Sequence, residues 1–313
     1  MLAYVLRRLL IGVVLAVLVT FITYLLLSGS FRDMVSTLLG PDVTAADITR
    51  RTHALGYDRP VVVQYVDWLG HAVRGDLGTS LFTSSAVAPT VLSHIVVTMS
   101  IVFPALLIAV ILSVTLGVWA ASRSGAPDRI AQSISLVGHV IPALLTAIVL
   151  VVVFAVELKI FPATGFVQFI DSPVGWLRSV TLPVVVLVIA GMASITAQVR
   201  GSMIEELSKD YVRTLRTAGL PARSIVLKHA LRNAGSPALT VISLEFISLF
   251  SHSVIIENVF ALPGFGSFAF SSAQNIDVPV IMGVTLVSVV LVTVINLIAD
   301  VANGYLNPKA RLH

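Results

Sequence analysis

Six stretches of the chain stay apolar for about 20 residues or more, the length a helix needs to cross a hydrocarbon core. They run about Leu9–Leu27, Ile95–Ala120, Ile130–Val156, Ser179–Val199, Pro237–Ile256 and Val278–Val301. Within them the apolar residues are continuous, so they read as membrane spans and not as one-sided surface helices. The pattern therefore predicts an all-α, polytopic membrane protein with six transmembrane helices. Prolines Pro104, Pro142 and Pro183 fall inside spans two to four and predict interruptions there, because each removes a backbone hydrogen bond.

Two polar segments separate the spans. The first, 29–94, reads as a small helical segment lying against the membrane. Thr44 with Asp47 resembles a capping box and opens a helix ending near Gly56. Asp58-Arg59-Pro60 starts a second helix, on which Tyr65, Trp68, Leu69 and Ala72 share a face, and which stops before Gly75. The second segment, 200–236, predicts two short helices broken at Ala218-Gly219-Leu220-Pro221. Ser208 is the expected N-cap, Gly219 the C′ residue with positive φ, and Pro221 a first-turn proline of the next helix. Tyr211, Leu215 and Ala218 fall on one helical face and Arg213 and Arg216 elsewhere. The resulting organisation is 1–28, a tip and first span; 29–94, an external segment; and 95–313, a five-span core containing the 200–236 loop.

Composition agrees: 57% of residues are hydrophobic and 12% charged, against about 25% charged in a soluble domain. A net charge of +4, thinly spread, gives no case for nucleic acid. Instead the charge orients the chain. Thirteen of the twenty Lys and Arg fall on the side holding both termini, the 122–129 link and the 200–236 loop. The positive-inside rule then predicts cytoplasmic termini. The chain has no cysteine and no Gly-x-x-x-x-Gly-Lys-Ser/Thr phosphate loop, so it offers neither a thiolate metal site nor an ATP site.

The 200–236 loop carries a resemblance. Asp210, Tyr211, Val212, Arg213, Thr214, Arg216, Gly219 and Leu220, followed by His229-Ala230-Leu231-Arg232-Asn233-Ala234 and Pro237, are similar to the cytoplasmic loop of ATP-binding-cassette importer permeases of the dipeptide/oligopeptide/nickel branch. Leu215 departs from the family's usual alanine. Leu55-Gly56-Tyr57-Asp58-Arg59-Pro60, Gln64-Tyr65, Trp68-Leu69 and Gly75-Asp76-Leu77-Gly78 resemble the same family. So do Phe161-Pro162-Ala163-Thr164-Gly165, the external turn Glu257-Asn258-Val259-Phe260-Ala261-Leu262-Pro263-Gly264-Phe265-Gly266, and the ending Tyr305–Arg311. The external turn's glycines and proline suit a tight re-entrant turn.

The resemblance implies a type I importer permease fold in the bacterial cytoplasmic membrane, with no covalent chemistry of its own. It implies a second homologous permease, two ATPase subunits that hold the ATP and Mg2+, and an external substrate-binding protein that delivers short peptides. Asp210, Tyr211, Arg213, Thr214, Arg216, Gly219 and Leu220 would then be the ATPase-coupling residues. Glu257, Pro263, Gly264 and Gly266 would form the external turn. No cofactor or metal is expected in this chain. Import of nickel or another small solute by the same class is the alternative substrate reading.

Ionisable residues inside spans are costly unless paired or wet. Glu245, His252 and His139 are therefore candidates for a translocation path, Glu245 meeting a substrate's cationic end. Glu245 and His252, seven apart, can share a face. A hydrogen bond to a neighbouring span is the competing account of Glu245, and a structural role that of His139. An ion-coupled secondary transporter using Glu245 lacks a visible internal repeat. An intramembrane hydrolase lacks a nucleophile motif.

Overall fold

The computed structural model describes residues 2–40, 42–123 and 125–306, with backbone only for 2–4 and 305–306. The family-like ending from Asn307 to Arg311 lies outside the described residues. The elements are α1 (Leu2–Ser28), α2 (Phe31–Leu39), α3 (Ala45–Ala54), α4 (Val61–Ala72), α5 (Val87–Ser122), α6 (Ala126–Val140) and α7 (Ala143–Leu150), which continues as a π-helical segment, Val151–Glu157. They continue with α8 (Pro173–Ser208), α9 (Asp210–Thr217), α10 (Ala222–Ser224), a second π-helical segment (Ile225–Ala230), α11 (Leu231–Val259), α12 (Phe265–Gln274) and α13 (Val278–Leu306).

Among the described residues, five stretches are long and apolar enough to cross a membrane: Val5–Ser28, Val87–Ser122, Pro173–Ser208, Ala222–Val259 and Val278–Gly304. The remaining expected span, the third in chain order (130–156), is a pair of helices, α6 and α7 with its π-helical end, bent by 97°. Pro142 is the cause. Its ring disfavours helical ψ at the preceding residue, and Ile141 sits at ψ 118°. Pro104, Pro183 and Pro237 stay inside continuous helices. Of the three interruptions expected from proline, only the one at Pro142 is realised.

The chain forms two compact units. One combines Leu2–Val97 with Pro263–Val294. Its core is Tyr24, Phe31, Met34, Val35, Tyr65, Val278 and Met282. The expected capping box is present: the Asp47 N–H donates to Thr44 Oγ1 while the Thr44 N–H reaches back to the Asp47 carboxylate. Helix α4 lies against α1, where the Tyr65 hydroxyl donates to the Val17 carbonyl at 2.9 Å and Tyr24 to Gln64 Oε1 at 2.9 Å. Helix α2 went unread in the sequence, although Phe31, Met34 and Val35 have helical i, i+3, i+4 spacing and are its buried residues.

The other unit combines Thr98–Leu262 with the end of the last helix. Helix α8 is its axis, with 61% of its apolar window buried against 17% for the first helix. Helices α6, α7 and α11 all pack on it. Its core is small-residue-rich, with Ala109, Ala230, Ala234 and Ala238 around Ile195, Val199 and Met203. Small side chains let helix backbones approach closely where no water drives association. Gly138 shows how closely: a Cβ there would stand 2.9 Å from that of Ala193.

Candidate functional site

The coupling corner is built from the ends of two long helices. Helix α8 runs through Ser208, whose hydroxyl turns back to the Glu205 carbonyl. The chain breaks one residue later, so Lys209, with ψ 150°, and not Ser208, is the N-cap of α9. Pro221 likewise takes the N-cap position, one residue before the helical turn expected to contain it. After that turn the chain passes through the π-helical segment Ile225–Ala230 into α11. The predicted second short helix is thus the start of the fifth span.

Gly219 behaves as the sequence predicts. Its φ is +80°, and the backbone closes as a Schellman motif: Leu220 N–H donates to the Leu215 carbonyl at 3.2 Å and Gly219 N–H to that of Arg216 at 3.0 Å. Leu215 and Leu220 hold the C3 and C″ positions, where a hydrophobic pair commonly accompanies this cap, and both are half-buried. Val212 is the buried residue of α9, Tyr211 is half-buried, and Ala218 is exposed, contrary to its expected face. Asp210, Arg213, Thr214 and Arg216 are exposed. Helix α9 therefore presents two guanidinium groups outward from an anchored inner face.

The anchor is Glu206, which the sequence reading did not single out. Only 6% exposed, it accepts hydrogen bonds from Lys209 Nζ, from the Tyr211 hydroxyl at 2.9 Å and from Asn233 Nδ2 at 2.9 Å. One carboxylate thus ties α8, α9 and α11 together. The bond to Glu206 raises the Lys209 ammonium above its ordinary pKa, against the opposing effect of burial. Burial, then the Glu206 bond, raises that of the Tyr211 hydroxyl. Both shifts keep the clamp in one charge state near neutrality. Glu206 directly follows Glu205 near the end of α8, and no spacing in the sequence marks which of the two is buried.

At the expected external turn, Glu257 is fully buried, and Thr98 Oγ1 donates to its carboxylate at 2.5 Å. Helix α11 ends there in a second Schellman motif, with Leu262 N–H on the Glu257 carbonyl at 2.8 Å and Ala261 at φ 49°. Gly165 N–H donates to the Phe260 carbonyl at 2.9 Å, so the two family-like stretches around 161–165 and 257–266 meet. Beyond Leu262, the Pro263 carbonyl pairs with His94 Nδ1 at 2.7 Å, and Gly264 and Gly266 open α12 instead of a simple turn. Ser267 Oγ accepts from the Gly264 N–H at 3.1 Å.

The three candidate path residues do not form one group. Glu245 on α11 is 7% exposed, and its polar neighbours are Ser194 of α8 and His139 of α6. Ser194 Oγ lies 3.5 Å from His139 Nε2. His252 is exposed and, among the described residues, pairs with its helical neighbour Ser248, at 3.4 Å. Despite the seven-residue spacing it does not share the burial of Glu245. His139 lines a cavity of about 730 Å³ between α6 and α8, together with Arg129, Gln132, Ser135, Ala197 and Arg200. At that cavity Arg200 Nε is ion-paired with Asp128. Among the described residues no group of three or more His, Asp or Glu is placed to hold a metal.

Comparison with known proteins adds three findings. The family model described as the inner membrane component of binding-protein-dependent transport systems matches residues 113–312, and that for its N-terminal part matches 1–107. The oligopeptide transport system permease protein AppB of Bacillus subtilis is 32% identical over 314 residues, covering 99% of each chain. A Brucella ovis protein provisionally named a peptide permease is 36% identical over 318 residues, covering 100% of each. Among solved structures, the methionine ABC transporter MetNI in inward-facing conformations matches with a TM-score of 0.55 at 16% identity, over 69% of this chain and 96% of that one. At that identity the likeness concerns the fold, which is that of a type I importer permease.

Proposed function

The chain belongs to the family of binding-protein-dependent transport system inner membrane components, and from that premise we propose that it supplies half of the pore of an ATP-driven importer of short peptides. The peptide substrate rests on relatives that match end to end and carry peptide transport in their names. The full assembly is this chain, a second homologous permease, two ATPase subunits holding ATP and Mg2+, and an external binding protein. It sits in the cytoplasmic membrane with both termini and the α9 corner on the cytoplasmic side, where the Lys and Arg bias puts them.

The observation that carries this reading is the clamp at Glu206. A load placed on α9 passes through one buried carboxylate into α8 and α11, two of the core helices of its unit. An ATPase that closes on ATP can therefore move both helices as rigid bodies without chemistry at the permease. Asp210, Tyr211, Arg213, Thr214, Arg216, Gly219 and Leu220 are the coupling residues. Glu257, Pro263, Gly264 and Gly266 shape the external turn, and Glu245 and His139 belong to the translocation path.

Gentle purification from the native membrane tests the assembly, which should bring down a second six-span permease and ATPase subunits. In the purified complex, Gly219→Val should abolish stimulation of ATP hydrolysis by loaded binding protein while leaving the subunits associated. Uptake that follows a proton gradient and ignores ATP would overturn the proposal in favour of a secondary transporter.

A further inference from the structure

One charged feature of the helical core is used neither by the coupling corner nor by the external turn. The cavity of about 730 Å³ between α6 and α8 is lined by two guanidinium groups, those of Arg129 and Arg200. Arg200 Nε is ion-paired with Asp128, a carboxylate that also accepts from Gln132 Nε2 at 2.9 Å. A guanidinium carries five N–H donors, so this single partner leaves Arg200 able to meet a second anion. Arg129 is exposed and makes no ion pair among the described residues. Two permanent positive charges thus stand against one carboxylate, and the imbalance suits a ligand group bearing one negative charge.

Arg200 closes the apolar run of α8, and Arg129 follows the short polar link after α5, so both mark the same membrane boundary. On α6, Arg129, Ser133, Leu136 and Val140 fall on one face, at i, i+4, i+7 and i+11. Along that face the surface changes from basic and hydroxyl-bearing to apolar, with Leu136 68% and Val140 70% exposed. The change is complete within about 10 Å of helix rise. Cation first and bare hydrocarbon next is the order of a phospholipid from headgroup to acyl chain. A free phosphate ion finds nothing to contact beyond the first turns. His139 stands to the side of this face, about 15 Å along the helix axis from Arg129, and takes no part in holding a headgroup.

We propose that the Arg129–Arg200 mouth of the α6–α8 cavity binds the phosphate of one anionic phospholipid from the cytoplasmic leaflet, with an acyl chain along Leu136 and Val140. The choice of leaflet rests on the orientation proposed from the Lys and Arg bias; the site itself does not. Basic pockets between spans on the cytoplasmic side hold anionic headgroups, each cation near that surface adding to the attraction. A choline lipid carries its own cation into the mouth and gains less there. Bound in this way, the lipid bridges α6 and α8 beside the Asp128–Arg200 pair.

The test uses the complete transporter, delipidated in neutral detergent, and native mass spectrometry. The probes are dioctanoyl phosphatidylglycerol, dioctanoyl phosphatidylcholine and inorganic phosphate. Phosphatidylglycerol should occupy one tight site per copy of this chain, and Arg129→Gln should weaken it about tenfold, as loss of a close charge pair does. Phosphatidylcholine should bind more weakly and be indifferent to that substitution. Arg123→Gln removes an exposed cation of the same polar link that does not line the cavity, and should leave binding unchanged. Equal losses in Arg123→Gln and Arg129→Gln show a diffuse basic belt and overturn the site. Displacement of the lipid by inorganic phosphate at equal concentration overturns it too. So does absence of a tight site in the assembled complex, where a partner subunit then covers the groove. Binding in detergent is blind to sidedness, so these failures remove the site alone. An impermeant maleimide that reaches Thr217→Cys only from outside removes the leaflet assignment together with the orientation reading.

Discussion

Glu206 concentrates more consequence in one side chain than any residue of the coupling motif itself. Replacing it with Ala leaves Lys209, Tyr211 and Asn233 without their shared acceptor. The loss should be about 2–3 kcal/mol of local stability, since bonds to a charged group exceed the ordinary hydrogen bond. Amides of α9 should then exchange with solvent roughly 30- to 150-fold faster, read by hydrogen exchange of the purified protein, while those of α8 near Ile195 stay protected. Unchanged exchange at 210–217 would mean that the clamp does not hold the corner. A second residue-scale prediction concerns His53, whose Nδ1 pairs with Asp58 at 2.5 Å on the surface. The hydrogen bond to Asp58, and then its charge, raise the His53 pKa above 6.5, and the same bond lowers that of Asp58 below 3.8. The pair is therefore fully formed between these two values; it weakens as pH rises through the raised His53 pKa or falls through the lowered Asp58 pKa. An NMR titration should give His53 a midpoint above 6.5 that returns toward that value in Asp58→Asn. A midpoint indifferent to that substitution refutes the pairing.

At the scale of elements, the same helix ending is used twice with different residues. Helix α9 closes with glycine at C′ and α11 with alanine at C′, both at positive φ. A side chain in that conformation costs roughly 1–2 kcal/mol. Ala261→Gly should therefore raise the melting temperature of the detergent-solubilised protein by a few degrees, and Gly219→Val should lower the stability of α9. A Cβ at Gly219 would meet nothing within 4 Å, so the Gly219 effect is one of backbone conformation and not of crowding. If Gly219→Val were neutral and Ala261→Gly destabilising, the left-handed assignments would be wrong. Prolines behave less uniformly than a sequence rule suggests. Pro142 breaks its span where Pro104, Pro183 and Pro237 do not, although Pro104, Pro142 and Pro183 are each preceded by one apolar residue and followed by three. Whether a freed carbonyl can be accommodated depends on what packs beside it, which is a tertiary matter.

For the molecule as a whole, the lack of native cysteine makes orientation directly measurable. A single cysteine at Thr217, exposed at the end of α9, should react with an impermeant maleimide only from the cytoplasmic side. One at Arg50, exposed on α3, should react only from outside. Labelling of both from the same side would invert or remove the orientation deduced from charge. The division into two units bears on how such data are interpreted. Residues 263–294 join the N-terminal 2–97 across more than 160 residues of intervening chain. Asp277 shows the link: it accepts from Ser80 Oγ at 2.5 Å and caps α13 through the bond from Ile281 N–H to its carbonyl.

Hydropathy and charge along the chain were enough to determine the all-helical membrane class, the capping box at Thr44, the glycine corner at Gly219 and the surface position of Arg213 and Arg216. Each follows from neighbours within four residues, or from solvation against oil, and both are written locally. Only the tertiary structure decided that the third span bends at Pro142, that Glu206 and not Ser208 organises the corner, and that Glu245 meets Ser194 and His139 while His252 stands apart. Those outcomes depend on which helices pack side by side. A carboxylate's partners, a proline's tolerance and the burial of one of two equivalent helical positions are set by residues distant in sequence, so no local pattern encodes them.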